Sequence, residues 1–129
     1  IHGAANAMYL QKGIAFNAKD STAKKSYGVI ADYIHLGGAD DDEKVALLIK
    51  YLRGMNDELN IPHGINKYGA DGMPAETGFV PEDIFLARVD EIADNAIADA
   101  CTGSNPRIPN HDEMVALLKA CYYDTEVDF

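Results

Sequence analysis

Four histidines and two cysteines are the side chains of this sequence best suited to metal or nucleophilic chemistry. His2 precedes Gly3 and opens a stretch rich in small residues, Gly3-Ala4-Ala5-Asn6-Ala7. Small residues let another backbone or a ligand come close. A neutral imidazole at such a place can bind a divalent metal; the plain alternative is a terminal histidine in solvent. His35 and His111 fall near expected helix ends and His63 in an Ile61-Pro62-His63-Gly64 turn. All three read as solvated or capping histidines. No His-x-x-x-His pair occurs, so the chain does not write a complete zinc site locally. Cys101 and Cys121 match no paired zinc-ligand spacing. Two isolated cysteines read as reduced thiols, which points to a cytoplasmic protein. Ser21, Ser26 and Ser104 lack the setting of a nucleophile elbow, and no Gly-rich phosphate loop is present. Asp40-Asp41-Asp42-Glu43 suits a helix start, where the macrodipole is positive; a cation site is its other reading. The alternation of acids and the glycine that mark a calcium loop are missing from it.

Helical periodicity organises these residues, and no strand alternation persists. The first helix runs to Asn17, with apolar residues at 4, 7, 8, 10, 14 and 16 and a weak point at Gly13. A second starts near Asp20-Ser21, both good caps, and carries Ala23, Tyr27, Ile30, Ala31 and Ile34 towards a stop at Gly37-Gly38. A third begins in the acidic cluster and shows Val45, Leu48, Ile49, Leu52, Met55 and Leu59 on one face. Asn60-Ile61-Pro62 ends it. Residues 60 to 80, rich in Gly and Pro, read as a long loop with one helical turn around Ile65 to Tyr68. Pro81-Glu82-Asp83 starts a fourth helix, with Pro81 at its first position. That helix carries Phe85, Val89, Ile92, Ala93, Ala96, Ile97 and Ala100 and is expected to reach Cys101 and stop at Gly103, about 30 Å long. Asn110 starts the last helix, with Glu113 as its capping partner. Met114, Leu117, Leu118 and Cys121 are its expected buried face, and Tyr123 to Phe129 read as a frayed or docked tail.

The expected fold class is therefore all-α: a helical bundle of about five main helices, without a sheet or an internal repeat. The 129 residues fit a single domain, 1–129, and 47% hydrophobic residues suffice for a core. No apolar run approaches the ~18 residues that span a bilayer. A net charge of −10 repels phosphate backbones and anionic membranes, so no nucleic acid or membrane partner is expected. The residues alone lead to an acidic helical domain and no further.

Two stretches go beyond this. His2-Gly3-Ala4-Ala5-Asn6-Ala7, followed by Ile14-Ala15-Phe16-Asn17, resembles the His-Gly-x-x-Asn-Ala motif of the iron-dependent (group III) alcohol dehydrogenases. Asp99-Ala100-Cys101-Thr102-Gly103-Ser104-Asn105-Pro106-Arg107 resembles that family's closing motif, in the right order and at a fitting distance. Tyr27-to-Leu36 and the Ile61-Pro62 turn add to the resemblance, which covers essentially the whole chain. It is similar to lactaldehyde reductase-like members and to the alcohol dehydrogenase part of bifunctional aldehyde-alcohol dehydrogenases. The chain departs from the family at Ile1, where Pro is usual, and at Gln11-Lys12-Gly13, where a Pro-x-Val pair often stands.

The resemblance implies a dehydroquinate synthase-like C-terminal domain that contributes part of a metal site and of a substrate pocket. Family enzymes hold divalent iron, sometimes zinc, through one aspartate and three histidines. His2 matches the last of these histidines, and Cys101 matches a position that lines the pocket in some relatives. Asn105 and Arg107 read as structural, Arg107 being a forked donor for carboxylates or carbonyls. NAD(P) would be bound mainly by an N-terminal nucleotide-binding domain absent from this chain, with the chain beginning at a cut. The implied reaction is hydride transfer between a small primary alcohol or aldehyde and NAD(P). In it the metal acts as a Lewis acid on the substrate oxygen. The expectation is an oxidoreductase whose fragment is inactive alone, with a homo-oligomer among the assemblies open to it. The rival expectation is a stand-alone acidic helical interaction module without catalysis.

Overall fold

A computed structural model describes residues 2–69 and 78–129. Five helices occupy them: α1 (His2–Asn17), α2 (Ser21–Tyr33), α3 (Asp41–Glu58), α4 (Glu82–Ala98) and α5 (His111–Tyr123). Short 3₁₀ turns at Ile65–Lys67 and Thr102–Ser104 flank α4. No strand occurs among the described residues, and the all-α expectation holds.

Helix starts follow local chemistry. The Asp20 carboxylate accepts from the Ala23 N–H, and the Asp40 carboxylate accepts from the Glu43 N–H. Asp41, Asp42 and Glu43 fill the first turn of α3, which is where the backbone dipole favours them. Asn110 and Glu113 form a complete capping box at α5. Pro81 lies one residue outside α4 rather than at its first position, a shift within the ordinary blur of helix ends.

Helix stops depart more from the sequence reading. α2 ends at Tyr33, before Gly37-Gly38, because His35 turns left-handed at φ 58°. The Leu36 N–H then reaches back to the Ala31 carbonyl at 3.0 Å. Asn60 does the same for α3 at φ 55°, with the Ile61 N–H on the Asn56 carbonyl at 2.8 Å. Asp124 ends α5 at φ 57°. Asn, Asp and His tolerate this conformation because a short polar side chain offsets part of its cost. α4 stops at Ala98, short of Cys101, and its 17 residues make it about 25 Å long. Asp99 turns extended there, and its carboxylate takes up the Cys101 N–H at 2.8 Å.

α3 packs against α2 and α1, α5 packs against α1, and α4 rests on α5. Two apolar clusters result. Ile14, Ala18, Ala31, Val45 and Leu48 join the first three helices, while Phe85 and Val89 meet Tyr122. Phe85 and Tyr122 stack with centroids 4.1 Å apart. The expected stripes are partly corrected. α1 buries Gln11 and Lys12 and leaves Leu10 51% exposed. Ile30, Ile34, Met55, Leu59 and Ile92 are also exposed. Met114, Leu117 and Leu118 are half-buried, whereas Cys121 is buried as expected. The C-terminal tail is docked: Phe129 packs on Phe16, and its carbonyl accepts from Arg107.

Candidate functional site

The two motif stretches meet in space. Asn17, the last residue of α1, and Asn105, beyond the 3₁₀ turn after α4, exchange amide hydrogen bonds across 88 residues of sequence. Asn105 Nδ2 donates to Asn17 Oδ1 at 2.7 Å, and Asn17 Nδ2 donates back to Asn105 Oδ1 at 3.1 Å. The second proton of Asn105 Nδ2 goes to the Arg107 carbonyl at 2.5 Å. Every donor of Asn105 is thus satisfied inside the fold, as a half-buried amide requires.

Arg107 acts as the forked donor that its residue type suggests. It donates to Glu113 at 2.6 Å, to the Phe16 carbonyl at 3.2 Å and to the Phe129 carbonyl at 2.6 Å. Its guanidinium carbon also lies 3.9 Å from the centre of the Phe16 ring. Glu113 is held below the usual carboxylate range, first by the Asn110 backbone N–H and then by Arg107. Arg107 therefore binds the closing motif, the end of α1 and the tail into one unit.

Cys101 is exposed at the edge of this unit. It borders a cavity of about 300 Å³ with Gly13, Asn17, Thr102, Asn105 and Met114. The wall beside it is fixed by the Thr102 hydroxyl, which donates to the Ala96 carbonyl at 2.6 Å. Cys121 lies elsewhere, buried, and burial pushes its thiol up to about 12. A thiol so desolvated is inert at neutral pH.

A larger apolar cleft of about 760 Å³ runs beside the same helix. Asn6, Leu10, Gly13 and Asn17 line it from α1, Tyr27 and Ile30 from α2, and Leu48 and Leu52 from α3. Gly13 and Asn17 border both cavities.

His2 is the first residue of α1 and is exposed. Its Nε2 lies 3.1 Å from Asn6 Nδ2, one turn along. The spacing of His2, Asn6, Leu10, Gly13 and Asn17 places them on one face of the helix. His2 and Cys101 are not brought together: the Cys101 cavity touches α1 first at Gly13, about 16 Å of helix from His2. Among the described residues, no three His, Cys, Asp or Glu side chains gather as metal ligands do. These residues therefore do not make an iron site by themselves. His35 is exposed, while His63 pairs with Asp57 at 2.6 Å and His111 with Asp90 and Asp94.

One polar cluster was not foreseen. Asp124 accepts two bonds from Arg53, at 2.7 and 2.8 Å, and an ion pair from Lys12 at 2.8 Å. Lys12 also donates to the Thr125 carbonyl at 2.8 Å, and Arg53 to Gln11 Oε1 at 2.9 Å. Hydrogen bonding from Arg53, and then from Lys12, holds the Asp124 carboxyl far below its ordinary range. The signal in the sequence was Gln11-Lys12, a polar break inside the apolar stripe of α1. It faces α3 and α5, away from the cleft.

Comparison with known proteins bears on both motifs at once. Residues 1–122 match the C-terminal region of the Fe-containing alcohol dehydrogenase family. The chain is 42% identical over 128 residues to an NADPH-dependent butanol dehydrogenase of Clostridium saccharobutylicum, covering 99% of this chain and 30% of that protein. It is 36% identical to an aldehyde-alcohol dehydrogenase of Clostridium acetobutylicum, over 93% of this chain and 14% of that protein. A bifunctional aldehyde-alcohol dehydrogenase of Escherichia coli is 33% identical, over 95% of this chain and 14% of its own length. The chain thus spans less than a third of each of these relatives. With the closing motif tied to the end of α1 and the match running through both, the chain belongs to the Fe-containing alcohol dehydrogenase family, as its C-terminal region.

Proposed function

We propose that this chain is the pocket-forming C-terminal part of an NAD(P)-dependent dehydrogenase for small primary alcohols and aldehydes. The observation that carries this reading is the pairing of Asn17 with Asn105. It joins the two motifs beside an open cavity that Cys101 borders and that shares Gly13 and Asn17 with the apolar cleft. Cys101 forms part of the substrate wall. His2 supplies one ligand to a divalent iron or zinc whose other ligands lie outside this chain. Its exposure leaves the ring accessible to such a partner, and the Asn6 contact restrains its orientation. The nucleotide is bound by the remainder of the protein, which also covers the apolar cleft. Inside a closed cleft an uncharged wall excludes water and strengthens the electrostatic interactions at the reacting oxygen.

Two measurements test this. The full-length protein, supplied with ferrous iron, is expected to oxidise NADH or NADPH with acetaldehyde, while residues 1–129 alone are expected to show no turnover. The His2→Ala variant of the full-length protein is expected to lose most of its bound metal, as measured by elemental analysis. Turnover by the isolated chain would refute its dependence on the missing residues, and full metal content in His2→Ala would refute the ligand role.

A further inference from the structure

Gly13 stands where the structure has no need of a glycine. It lies inside α1, with no positive φ. A Cβ built on it meets no heavy atom within 4 Å beyond its own helix. Glycine weakens a helix interior relative to alanine, because its backbone loses more freedom on ordering. The residue thus gives up stability without a steric or conformational return in this chain. Its position offers a return of another kind. Gly13 borders both the Cys101 cavity of about 300 Å³ and the apolar cleft of about 760 Å³. Gly13 and Asn17 are the two residues that line both spaces, and the Asn17 side chain is already hydrogen-bonded to Asn105. A side chain at position 13 would enter the uncrowded space between these two linings, the junction considered below.

We infer that Gly13 is a specificity-determining residue. By leaving the junction open, it lets the hydrocarbon tail of a substrate held in one space extend into the other, and so admits alcohols and aldehydes of more than two or three carbons. This rests on the dehydrogenase reading above. The walls at the junction are apolar on the cleft side, with Leu10 and Ile14 flanking Gly13 on α1, so they favour an alkyl chain over a polar one. Binding is strengthened about fourfold for each methylene moved from water to such a surface.

The test is a series of straight-chain aldehydes from acetaldehyde to hexanal, given to the full-length wild-type protein and its Gly13→Val and Gly13→Ala variants. Gly54→Ala serves as the control, since Gly54 lies inside α3, is equally uncrowded and borders neither space. Gly13→Ala and Gly54→Ala are each expected to raise Tm by about 2–4 °C, which also shows that the variants fold. Gly13→Val is expected to lower kcat/KM for hexanal at least about tenfold relative to acetaldehyde, and Gly13→Ala to lower it less. Gly54→Ala is expected to leave the chain-length profile unchanged. A profile in Gly13→Val parallel to that of the wild type would overturn the inference; it would mean that protein, not substrate, fills the junction. A wild-type protein inactive on every aldehyde would instead overturn the reaction assigned to the protein, and the inference with it.

Discussion

Replacing Asp124 by Asn isolates the charge of the cluster that ties α1, α3 and the end of α5. Asn fits the left-handed backbone at this position, φ 57°, and keeps one acceptor oxygen, so shape and dihedral strain are nearly conserved. What disappears is the anion that faces Lys12 and Arg53 at 2.7–2.8 Å. The Lys12 side chain is only 8% exposed, so its ammonium is left with little water to replace the carboxylate. Breaking a fully buried pair in this way costs about 3–5 kcal/mol. Asp124 and Arg53 retain 27% and 33% exposure, which reduces that figure to about 2–3 kcal/mol. In a chain of this length the loss corresponds to a fall in Tm of about 8 °C, read by circular dichroism at pH 7. The folded Asp124 is held below its unfolded value of about 3.9, so its contribution is present above that pH and disappears as pH falls through the folded value. The difference in stability between wild type and variant is therefore expected to start shrinking below about pH 4. Lys12→Met is expected to cost less in the Asp124→Asn background than in the wild type, because the unpaired cation is then removed. Equal Tm values for Asp124→Asn and wild type at pH 7, or a gap that widens in acid, would refute the reasoning.

Further outcomes follow from the same contacts. Arg107→Lys cannot hold Glu113 and the carbonyls of Phe16 and Phe129 together, and is expected to lower stability by about 1–3 kcal/mol in urea unfolding. A loss below a few tenths would show that the tail docks without it. Iodoacetamide at pH 8 is expected to label Cys101 in the native chain and to spare Cys121, with both labelled in denaturant, as read by peptide mass spectrometry. Native labelling of Cys121 would contradict its burial. Asn110→Ala removes one half of the capping box and is expected to cost about 1 kcal/mol by thermal unfolding, an unchanged Tm being the contrary result.

Several apolar side chains stand at the surface of the described residues. Leu10 and Ile30 line the cleft with about half of their area in solvent, and Tyr33, Leu59 and Ile84 are exposed elsewhere. Single exposed apolar residues are ordinary, but a continuous apolar cleft is a place for a partner surface or a ligand. The periodicity of α2 and α3 points to apolar stripes facing the core. Part of each instead faces outwards, as the exposure of Ile30, Ile34, Met55 and Leu59 shows.

Local chemistry by itself determined where α2, α3 and α5 begin. Asp20, Asp40 and the Asn110–Glu113 pair bond to backbone N–H groups three residues away, so a few adjacent residues contain the whole interaction. The all-α class was legible for a similar reason, since period 3.6 is written within each segment. The two motifs were legible as patterns, and the role of Arg107 as a forked donor was legible from its residue type. Only the tertiary structure decided which groups met. Asn17 became a partner of Asn105 across 88 residues, and Lys12 could be buried only because Asp124 arrived beside it. The same holds for the open junction at Gly13, which in the sequence is only a weak point in a helix. A buried charge or an empty space has no local signature, because its free energy is set by neighbours that the fold, and not the segment, brings into place.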